Sequence, residues 1–254
     1  MTLILTELTD HGIAMVADSM VTSTNMATGL SHTTPNAAVK LQAVHHLSAG
    51  ISCWGMGRIN RIPTDEWLTN FITDNTDCAT LRALATALAN ELNAVVGPSV
   101  AGESRMGFHL AGFENYDGIP TPSFFHIHDG PSTTLHARGI RVNPQQFNAN
   151  HDVPPDVFRE FVAGGQGWIT RNGDYRLYAQ IFGLLENFFQ RLRPLGVVFP
   201  NSQDLAGRCE YLVFQIRTVS TIYRLSNLIP GIGGPISYIT IAPTGIHSQG
   251  VVYA

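Results

Sequence analysis

The order in which strand-like and helix-like segments follow one another limits most strongly what this chain can fold into. Short apolar runs bounded by turn residues predict strands, and apolar residues recurring every three to four positions predict helices. The chain shows a block of strands, two helices, a second block of strands, two more helices and two closing strands. Because strands and helices do not alternate singly, a Rossmann-like parallel sheet is disfavoured. The order predicts an α+β fold in which helices cover the outer faces of two stacked sheets.

The predicted elements have bounds that a structure can test. A hairpin turning at Asp10-His11-Gly12 opens the chain, Asp77 is the predicted cap of the second helix, and Gly97-Pro98 stops that helix. The predicted strands are residues 3–9, 12–18, 40–45, 47–53, 105–113, 121–128, 134–140, 235–241 and 246–253. The predicted helices are residues 64–74, 78–96, 174–193 and 203–227, and the predicted loops are 20–39 and 141–156. No repeat or linker divides the chain, so a single domain over residues 1–254 is expected.

Few charged residues are available to cover the surface. They make up 13% of the 254 residues, about half the usual share, whereas hydrophobic residues at 44% are ordinary. Either part of the protein surface is buried against other copies of the same chain, or uncharged polar residues (Ser, Thr, Asn and Gln) cover the surface in place of charged ones. The net charge of −4 argues against a nucleic-acid partner, because phosphate binding requires clustered cations.

The cysteines and the N-terminus indicate the compartment. Cys53, Cys78 and Cys209 are widely spaced and form no CxxC pair, which suits a reducing compartment better than a disulfide framework. The N-terminus shows no basic region followed by an apolar core, and no apolar run reaches the ~18–20 residues of a membrane span. We therefore expect a cytoplasmic protein that does not contact a membrane.

Motifs for other chemistries are weak. His126 and His128 share one face of a strand and could bind a metal, but no third ligand has an evident spacing, so a surface pair is the simpler interpretation. The glycine-rich stretches 164–167 and 231–234 lack the pattern of a phosphate-binding loop. No GxSxG elbow of an α/β-hydrolase is present. We therefore expect neither a metal nor a cofactor.

Lysine usage singles out one position. Lys40 is the only lysine of the chain, and the other fourteen cations are arginines. A lysine is a compact ammonium on a flexible stem, and its pKa responds to its surroundings more readily than that of arginine. Lys40 therefore either provides an ammonium with a functional role or stands at this position by chance.

Thr2 is a candidate nucleophile. It becomes the N-terminus if Met1 is removed, which a small second residue generally allows. A free N-terminal threonine carries a hydroxyl and an α-amine, and the ordinary pKa of that amine is about 7.7–8.0. The amine can therefore accept the proton of its own hydroxyl near neutral pH, directly or through a water.

The predicted hairpin brings Asp18 towards Thr2. Because strands 3–9 and 12–18 run antiparallel, the end of the second lies beside the beginning of the first. Lys40 begins a following strand and can enter the same end of the sheet. An ammonium there would favour the alkoxide of the threonine, and the aspartate would hold the ammonium. The alternative for Asp18 is a strand-end residue that bonds the following turn.

These residues resemble the start of a known family. Thr2, the run from Gly12 to Ser19, the pair Val39-Lys40 and the apolar strand into Ala49-Gly50-Ile51 resemble the catalytic β-type subunits of proteasomes and their bacterial HslV-type relatives. Both are N-terminal-nucleophile hydrolases. The resemblance is specific over residues 2–57 and weaker over the rest of the chain. It implies a four-layer αββα sandwich.

The resemblance also implies residue roles. Thr2 is the nucleophile, Asp18 and Lys40 tune it, and Ser19 lies next to the site where substrate binds. A backbone amide after the strand ending near Cys53 forms the oxyanion hole, for which Gly55 is the best candidate and Trp54 aligns nearly as well. A tryptophan where small residues are usual would also shape the substrate pocket.

The chain departs from the family pattern in three places. The loop between Asp18 and Lys40 is longer, which predicts an altered substrate pocket. The turn Gly164-Gly165-Gln166-Gly167 has no serine, and the pair Gly233-Gly234 is preceded by neither an acid nor a hydroxyl. The network of hydrogen bonds that supports the α-amine of Thr2 is therefore expected to be incomplete, or other residues such as Gln166 supply the missing groups. Gln166 is also a predicted substrate-binding residue.

The function implied by the resemblance is a self-compartmentalising threonine peptidase. It would cleave peptides or unfolded proteins inside homo-oligomeric stacked rings, with an ATP-dependent unfoldase as a further partner. Two alternatives remain open. One is a ring subunit that keeps the fold without turnover, and the other is an amidase of the same superfamily that acts on a small amide.

Overall fold

The computed structural model describes most of the chain. The described residues are 2–24, 27–35, 37–96, 106–129, 133–136, 139–142, 146–163, 167–173, 175–197, 204–229 and 231–253. Met1, the predicted helix stop at Gly97-Pro98, and Gln166 lie outside these ranges.

Strands make up much of the regular structure. They are β1 (Leu3–Thr9), β2 (Gly12–Asp18), β3 (Val21–Thr24), β4 (Ser31–Thr34), β5 (Leu41–Val44), β6 (Ala49–Gly55), β7 (Arg58–Ile59), β8 (Ile62–Pro63), β9 (Met106–Tyr116), β10 (Ile119–His128), β11 (Thr133–His136), β12 (Gly139–Val142), β13 (Asn148–Val153), β14 (Trp168–Gly173), β15 (Ile236–Ala242) and β16 (Gly245–Val252). The helices are α1 (Thr64–Asp74), α2 (Leu81–Val96), α3 (Pro155–Ala163), α4 (Tyr175–Leu192) and α5 (Leu205–Leu225). Single 3-10 turns cover His45–Leu47 and Arg193–Leu195.

Two five-stranded sheets form the centre of the molecule. The first has the order β14-β1-β2-β15-β16, and the second has the order β13-β10-β9-β6-β5. All the strand pairings of these two sheets among the described residues are antiparallel. The predicted α+β class is confirmed, and the purely antiparallel pairing agrees with the lack of single strand–helix alternation in the sequence.

Three hydrophobic clusters show how these elements pack. One cluster joins the second sheet to α1 and α2 and includes Leu88. Another joins the first sheet to α4 and α5 and includes Leu212. The third lies between the sheets, where Ile4 of β1 and Phe124 of β10 belong to the same cluster. Each sheet therefore buries one face against the other sheet and the opposite face against helices.

The β1–β2 hairpin supplies two inner strands of the first sheet. Every residue of both strands is buried, which explains their nearly continuous apolar sequence. The hairpin turns where predicted, with Asp10 and His11 exposed between the strands. Gly12 has φ +133°, and a side-chain Cβ there would lie 2.4 Å from the carbonyl oxygen of Ile241 on the neighbouring strand. Glycine is therefore required at this entry to β2.

Several predicted elements are found close to their expected positions. The predicted helix 64–74 coincides with α1, and the predicted helices 174–193 and 203–227 correspond to α4 and α5. The second predicted helix begins three residues late, at Leu81, and its cap was predicted wrongly. The Thr80 hydroxyl, not Asp77, accepts the free N–H of Ala83 at 3.1 Å.

Other elements differ from the prediction. The predicted loop 20–39 contains the β3–β4 hairpin, and the predicted loop 141–156 contains β13 and the start of α3. The predicted strand 134–140 is two short strands, β11 and β12, and β14 was not predicted. β13 reads Asn-Ala-Asn-His-Asp-Val, so it is a strand of mostly polar residues that no apolar pattern could reveal.

Within the described ranges, no helix combines the length and the apolar character needed to cross a membrane.

Candidate active site

Thr2 and Asp18 meet at one end of the β1–β2 hairpin. The register places Ile4 opposite Ala17, so the residue after Ala17 lies beside the start of β1. The backbone N–H of Leu3 donates to Asp18 Oδ1 at 2.9 Å, which fixes the carboxylate next to the residue that follows Thr2. The hairpin alone therefore produces the juxtaposition that the sequence predicted.

The Asp18 carboxylate is fully hydrogen-bonded. Oδ1 accepts from Leu3 N and from Lys40 Nζ, both at 2.9 Å, and Oδ2 accepts from the backbone N–H groups of Met20 and Gly233, both at 3.2 Å. The side chain has no exposed surface. A buried carboxylate is stable when several donors satisfy its lone pairs, and here four do so.

The ammonium of Lys40 is held at the same place. Its Nζ lies 2.9 Å from Asp18 Oδ1 and 2.5 Å from the carbonyl oxygen of Met20, and its side chain is 6% exposed. Since Lys40 Nζ and Leu3 N contact the same oxygen atom, at most about two hydrogen-bond lengths separate the ammonium from the backbone after Thr2. Two of the three donors of the ammonium have these partners.

A cavity of about 230 Å³ opens beside this ion pair. Thr2, Lys40, Trp54 and Gly55 all line it, so four predicted site residues face one space. The other lining residues come from the segment after Asp18, the approach to Lys40, and the turn between β6 and α1: Met20, Val21, Thr22, Ala37, Ala38, Cys53, Met56, Gly57, Arg58, Pro63, Thr64 and Asp65.

Gly55 ends β6 in a left-handed conformation, with φ +96°. Glycine adopts this conformation without steric cost, and it lets the chain turn sharply at the cavity wall. Thr64 at the start of α1 fixes the turn, because its hydroxyl donates to Met56 O at 2.7 Å and its N–H donates to Gly57 O at 3.1 Å. The backbone around Gly55 is therefore held at the cavity by α1.

The remaining predicted site residues have different placements. Trp54 lines the cavity and is half-buried. Ser19 is buried and is absent from the cavity lining, and its backbone bonds Gly233 O and the N–H of Ala37. Gln166 lies outside the described residues. The substrate-binding roles of Ser19, Trp54 and Gln166 stay predictions.

Comparisons with known proteins bear on the fold. No family profile matches the sequence, and no curated protein matches it either. Among solved structures, the chain is similar to a mutant of Anbu from Hyphomicrobium sp. strain MC1, with a TM-score of 0.53 and 13% sequence identity. The alignment covers 100% of this chain and 88% of the Anbu chain. The fold is proteasome-like. At this identity the likeness concerns the fold alone.

The supporting partners at this end of the proteasome-like fold were missed in the sequence. Met20 contributes its carbonyl oxygen to Lys40, and Gly233 contributes its N–H to Asp18. Gly233 O also accepts from the N–H groups of Ser19 and Met20 at 3.2 and 3.1 Å. The residues before the pair Gly233-Gly234 offer neither an acid nor a hydroxyl, but Gly233 acts through its backbone, which a search for functional side chains does not detect.

Asp65 is a further missed residue of the cavity. Its Oδ2 accepts the N–H of Val39 at 3.0 Å, and its own carbonyl oxygen accepts from Gln42 Nε2 at 2.8 Å. Asp65 therefore connects the first turn of α1 to Val39 and Gln42, which precede and follow Lys40 in the chain. Its place in the first turn of α1 is also favourable, because a carboxylate there interacts with the positive end of the helix dipole.

Cys53 lines the cavity but does not have the properties of a nucleophile. Burial raises the pKa of its thiol to about 12, although the nearby Lys40 acts in the opposite direction. A reactive cysteine needs a thiolate fraction that such a group does not reach near neutral pH. Cys53 is therefore not a candidate nucleophile.

A second polar cluster contains serine, histidine and glutamate. Ser123 Oγ lies 2.7 Å from His151 Nε2 and donates to Glu114 Oε2 at 2.6 Å. Arg82, which can only donate, lies 2.7 Å from His151 Nδ1, so the ring proton of the neutral imidazole is on Nε2. His151 therefore cannot accept the proton of Ser123, and its hydrogen bond lowers the pKa of Glu114. This buried serine is structural.

The histidine pair at positions 126 and 128 was a possible metal site. Their rings are neighbours, with centroids 4.3 Å apart. Among the described residues, however, no group of three or more His, Cys, Asp or Glu side chains could hold a metal ion.

Proposed function

We propose that this chain is a threonine-nucleophile amide hydrolase, with Thr2 as its reactive N-terminus after removal of Met1. The observation that carries the proposal is the buried Lys40–Asp18 pair at the start of β1, in the wall of the cavity that Thr2 also lines. An uncompensated ammonium is costly to bury, and here it is retained with both an acid and a carbonyl as acceptors. Asp18 also accepts the N–H of Met20 in the following turn, as the structural alternative expects, but that role alone does not account for the ammonium held beside it.

The first step is acylation of Thr2. The α-amine takes the proton of Oγ while Oγ forms a bond to the carbonyl carbon of the substrate. The Lys40 ammonium stabilises negative charge on Oγ, and the N–H of Gly55 stabilises the oxyanion. The C–N bond then breaks, the proton passes from the α-amine to the leaving amine, and the acyl group stays on Thr2 as an ester.

The second step is hydrolysis of that ester. The α-amine accepts a proton from water as the water oxygen attacks the ester carbon. The C–O bond to Thr2 breaks, and the proton returns to Oγ. Atoms and charges balance over the two steps, so the cycle uses only the substrate and water.

The fold supports the proposal at the level of architecture. Two antiparallel sheets with helices on their outer faces are the arrangement expected of an αββα N-terminal-nucleophile sandwich. The proteasome-like fold agrees with a peptidase whose sites face an inner chamber. Peptides or unfolded proteins are the proposed substrates, stacked homo-oligomeric rings the proposed assembly, and an ATP-dependent unfoldase a proposed partner.

One observation favours a second candidate, a small-amide amidase of the same superfamily. The cavity of about 230 Å³ is smaller than most ligand pockets, which measure about 300–1,000 Å³. It therefore has room for one side chain of a peptide or for a small amide. A peptidase would extend the substrate beyond the cavity along the chain surface, and an amidase would not.

Hydrolysis of peptide and small-molecule amides by Thr2→Ala and Thr2→Ser variants tests the proposal. We expect no turnover for Thr2→Ala and reduced turnover for Thr2→Ser, which keeps a hydroxyl nucleophile. Unchanged turnover in purified Thr2→Ala would contradict the proposal. Sedimentation separates the candidates, because a ring favours the peptidase and an active monomer or dimer favours the amidase. A folded ring without turnover on either substrate class would indicate the non-catalytic subunit.

A further inference from the structure

Three buried polar atoms of β6 and β10 draw attention, and one of them belongs to Trp54, which lines the cavity. They are Ser52 Oγ, Trp54 Nε1 and His126 Nε2, and the described residues offer none of them a hydrogen bond. Ser19 Oγ is the only other such atom found in the described ranges. Since leaving a buried polar atom without a hydrogen bond destabilises the folded state, three such atoms together require an explanation.

The three side chains lie on the same face of the second sheet. Ser52 and Trp54 are two residues apart on β6, so they point to the same side. Ser52 pairs with His109 on β9, and His109 pairs with His126 on β10, so Ser52 and His126 lie in one row with His109 between them; Trp54 lies in the next row, where it pairs with Gly107, the partner of His128. Trp54 packs against the cluster between the sheets, so this face is turned towards the first sheet.

The indole of Trp54 extends across the neighbouring strand. A Cβ at Gly107, its partner on β9, would lie only 2.8 Å from Trp54 Nε1 and Cζ2, so the ring lies over this glycine. The ring centroid is 6.4 Å from that of His126 on the next strand. Gly107 thus lets the indole N–H reach from β6 towards β10.

The three atoms have complementary hydrogen-bonding capacities. Trp54 Nε1 can only donate, whereas the Ser52 hydroxyl can donate and accept. Burial, followed by the neighbouring His109 and His128, lowers the pKa of His126 to about 2, so this ring is neutral. His126 Nδ1 lies 3.7 Å from Asp152 Oδ2, which favours the proton on Nδ1 and leaves Nε2 as an acceptor.

A neutral molecule that accepts once and donates twice fits this set. A bound cation would face the indole N–H, and a bound anion would face a neutral imidazole acceptor, so neither is favoured. Water has the required capacities, and a buried water typically makes about three hydrogen bonds.

We propose that Ser52, Trp54 and His126 form a buried water site between the sheets, behind the cavity wall. The water accepts from Trp54 Nε1 and donates to His126 Nε2 and Ser52 Oγ. Trp54 directly precedes Gly55, so the water holds the indole that supports the turn carrying the Gly55 amide. Ser52, His126 and the water are thus positioning groups, and this second part of the proposal rests on the proposed function.

High-resolution crystal structures of the full chain test the water site without reference to activity. We expect density for one water about 2.7–3.2 Å from the three atoms, its loss in His126→Phe, and its retention in His128→Phe. His128 is the matched control because it lies two residues away on the same strand, while its Nε2 lies 3.0 Å from the Asn150 side-chain nitrogen. A wild-type site without water, or a direct bond from Trp54 Nε1 to His126, would overturn the proposal.

Kinetics test the positioning role. In His126→Phe we expect kcat to fall several-fold with KM nearly unchanged, because the oxyanion donor shifts while the cavity is kept. His128→Phe should keep the wild-type kcat. Unchanged kcat in a His126→Phe protein that has lost the water would overturn the positioning role. A wild-type protein that holds the water but turns over no amide would refute the proposed function and leave the water site intact.

Discussion

At the scale of single residues, the environment of Lys40 determines what its ammonium can do. It is buried, it lies against one carboxylate oxygen and one carbonyl oxygen, and it shares the cavity wall with Thr2. A guanidinium is larger and planar, and it would not fit these acceptors in the same way. The single lysine of the chain thus stands where a compact ammonium meets its two acceptors, whereas all other cationic positions carry arginine.

Replacement of Lys40 tests its role in charge stabilisation. We expect both Lys40→Met and Lys40→Arg to lower kcat by about 100-fold or more, the usual loss when one group that stabilises developing negative charge is removed. Steady-state hydrolysis of a peptide amide measures this. An Arg variant with wild-type kcat would show that any cation suffices and would contradict the specific role of the ammonium.

Asp18 is expected to be needed for stability as well as for activity. In Asp18→Asn the ammonium of Lys40 stays buried without its counter-charge, so we expect the free energy of unfolding to fall by about 3–5 kcal/mol. Denaturant unfolding measures the loss. In the double variant with Lys40→Met, the cost should be clearly smaller than the sum of the two single costs. Additive costs would show that the two side chains do not act as a pair.

At the scale of elements, the site depends on how tightly β14 closes on the start of β1. Leu3 pairs with Gly173, which has φ +125°. A Cβ at this position would lie 1.8 Å from the carbonyl oxygen of Thr2. The two strands therefore approach each other closely at the residue that carries the proposed nucleophile.

Gly173→Ala is expected to displace Thr2. Because the new Cβ would clash with backbone and the left-handed φ disfavours alanine, we expect loss of amide hydrolysis and a lower melting temperature. Gly183→Ala is the matched control, since Gly183 lies in α4 with nothing within 4 Å of a Cβ. That change should keep activity and slightly raise stability. Full activity in Gly173→Ala would contradict the close approach.

The same elements show what the sequence could predict. Helices α1, α4 and α5 and the β1–β2 hairpin have strong apolar periodicity or clear turn residues, and they were found near the predicted bounds. β13 and β14 were missed because they are edge strands of the two sheets with half-buried, mostly polar residues. Tertiary pairing, not local pattern, makes such segments strands.

The candidate site, like the fold, could be predicted only in part from the sequence. Thr2 and Asp18 could be brought together from the sequence because a hairpin fixes which residues are neighbours. Lys40 was expected at the end of the same sheet, but it directly precedes β5, which belongs to the second sheet, so it reaches Asp18 from the facing sheet. Gly233 could not be predicted, because it reaches Asp18 from 215 positions away and contributes only a backbone N–H. Met20 likewise contributes only a carbonyl oxygen. Backbone donors and acceptors are carried by every residue type, so their identity leaves little trace in a single sequence.

At the scale of the whole molecule, the two sheets are joined by a buried histidine. His109 on the second sheet has no exposed surface, and its Nδ1 lies 2.9 Å from Thr6 Oγ1 and its Nε2 2.6 Å from Asn172 Oδ1, both on the first sheet. Asn172 Oδ1 can only accept, so Nε2 carries the proton and Nδ1 accepts from Thr6. The neutral ring is therefore fully satisfied, and burial lowers the pKa of His109 to about 4.

This histidine predicts how stability depends on pH. Above about pH 6.5 the ring is neutral in both the folded and unfolded chains, so its contribution is constant. Between about pH 6.5 and 4 only the unfolded chain binds the proton, so the free energy of unfolding falls as the pH falls. For a shift of this size the loss is on the order of 3 kcal/mol. Urea unfolding across this range should show a clearly shallower loss in His109→Gln, and an identical loss would contradict the assignment.

The proposed mechanism requires Thr2 to be a free, reactive N-terminus, and covalent labelling can detect such a residue. The purified protein would be treated with an epoxyketone, which requires both a hydroxyl and a neighbouring free α-amine, and then analysed by intact mass and peptide mapping. We expect a protein without Met1 that carries one adduct per chain, located on Thr2, and little or no adduct in Lys40→Met. A folded protein that lacks Met1 and yet gains no adduct on Thr2 would contradict the proposed mechanism.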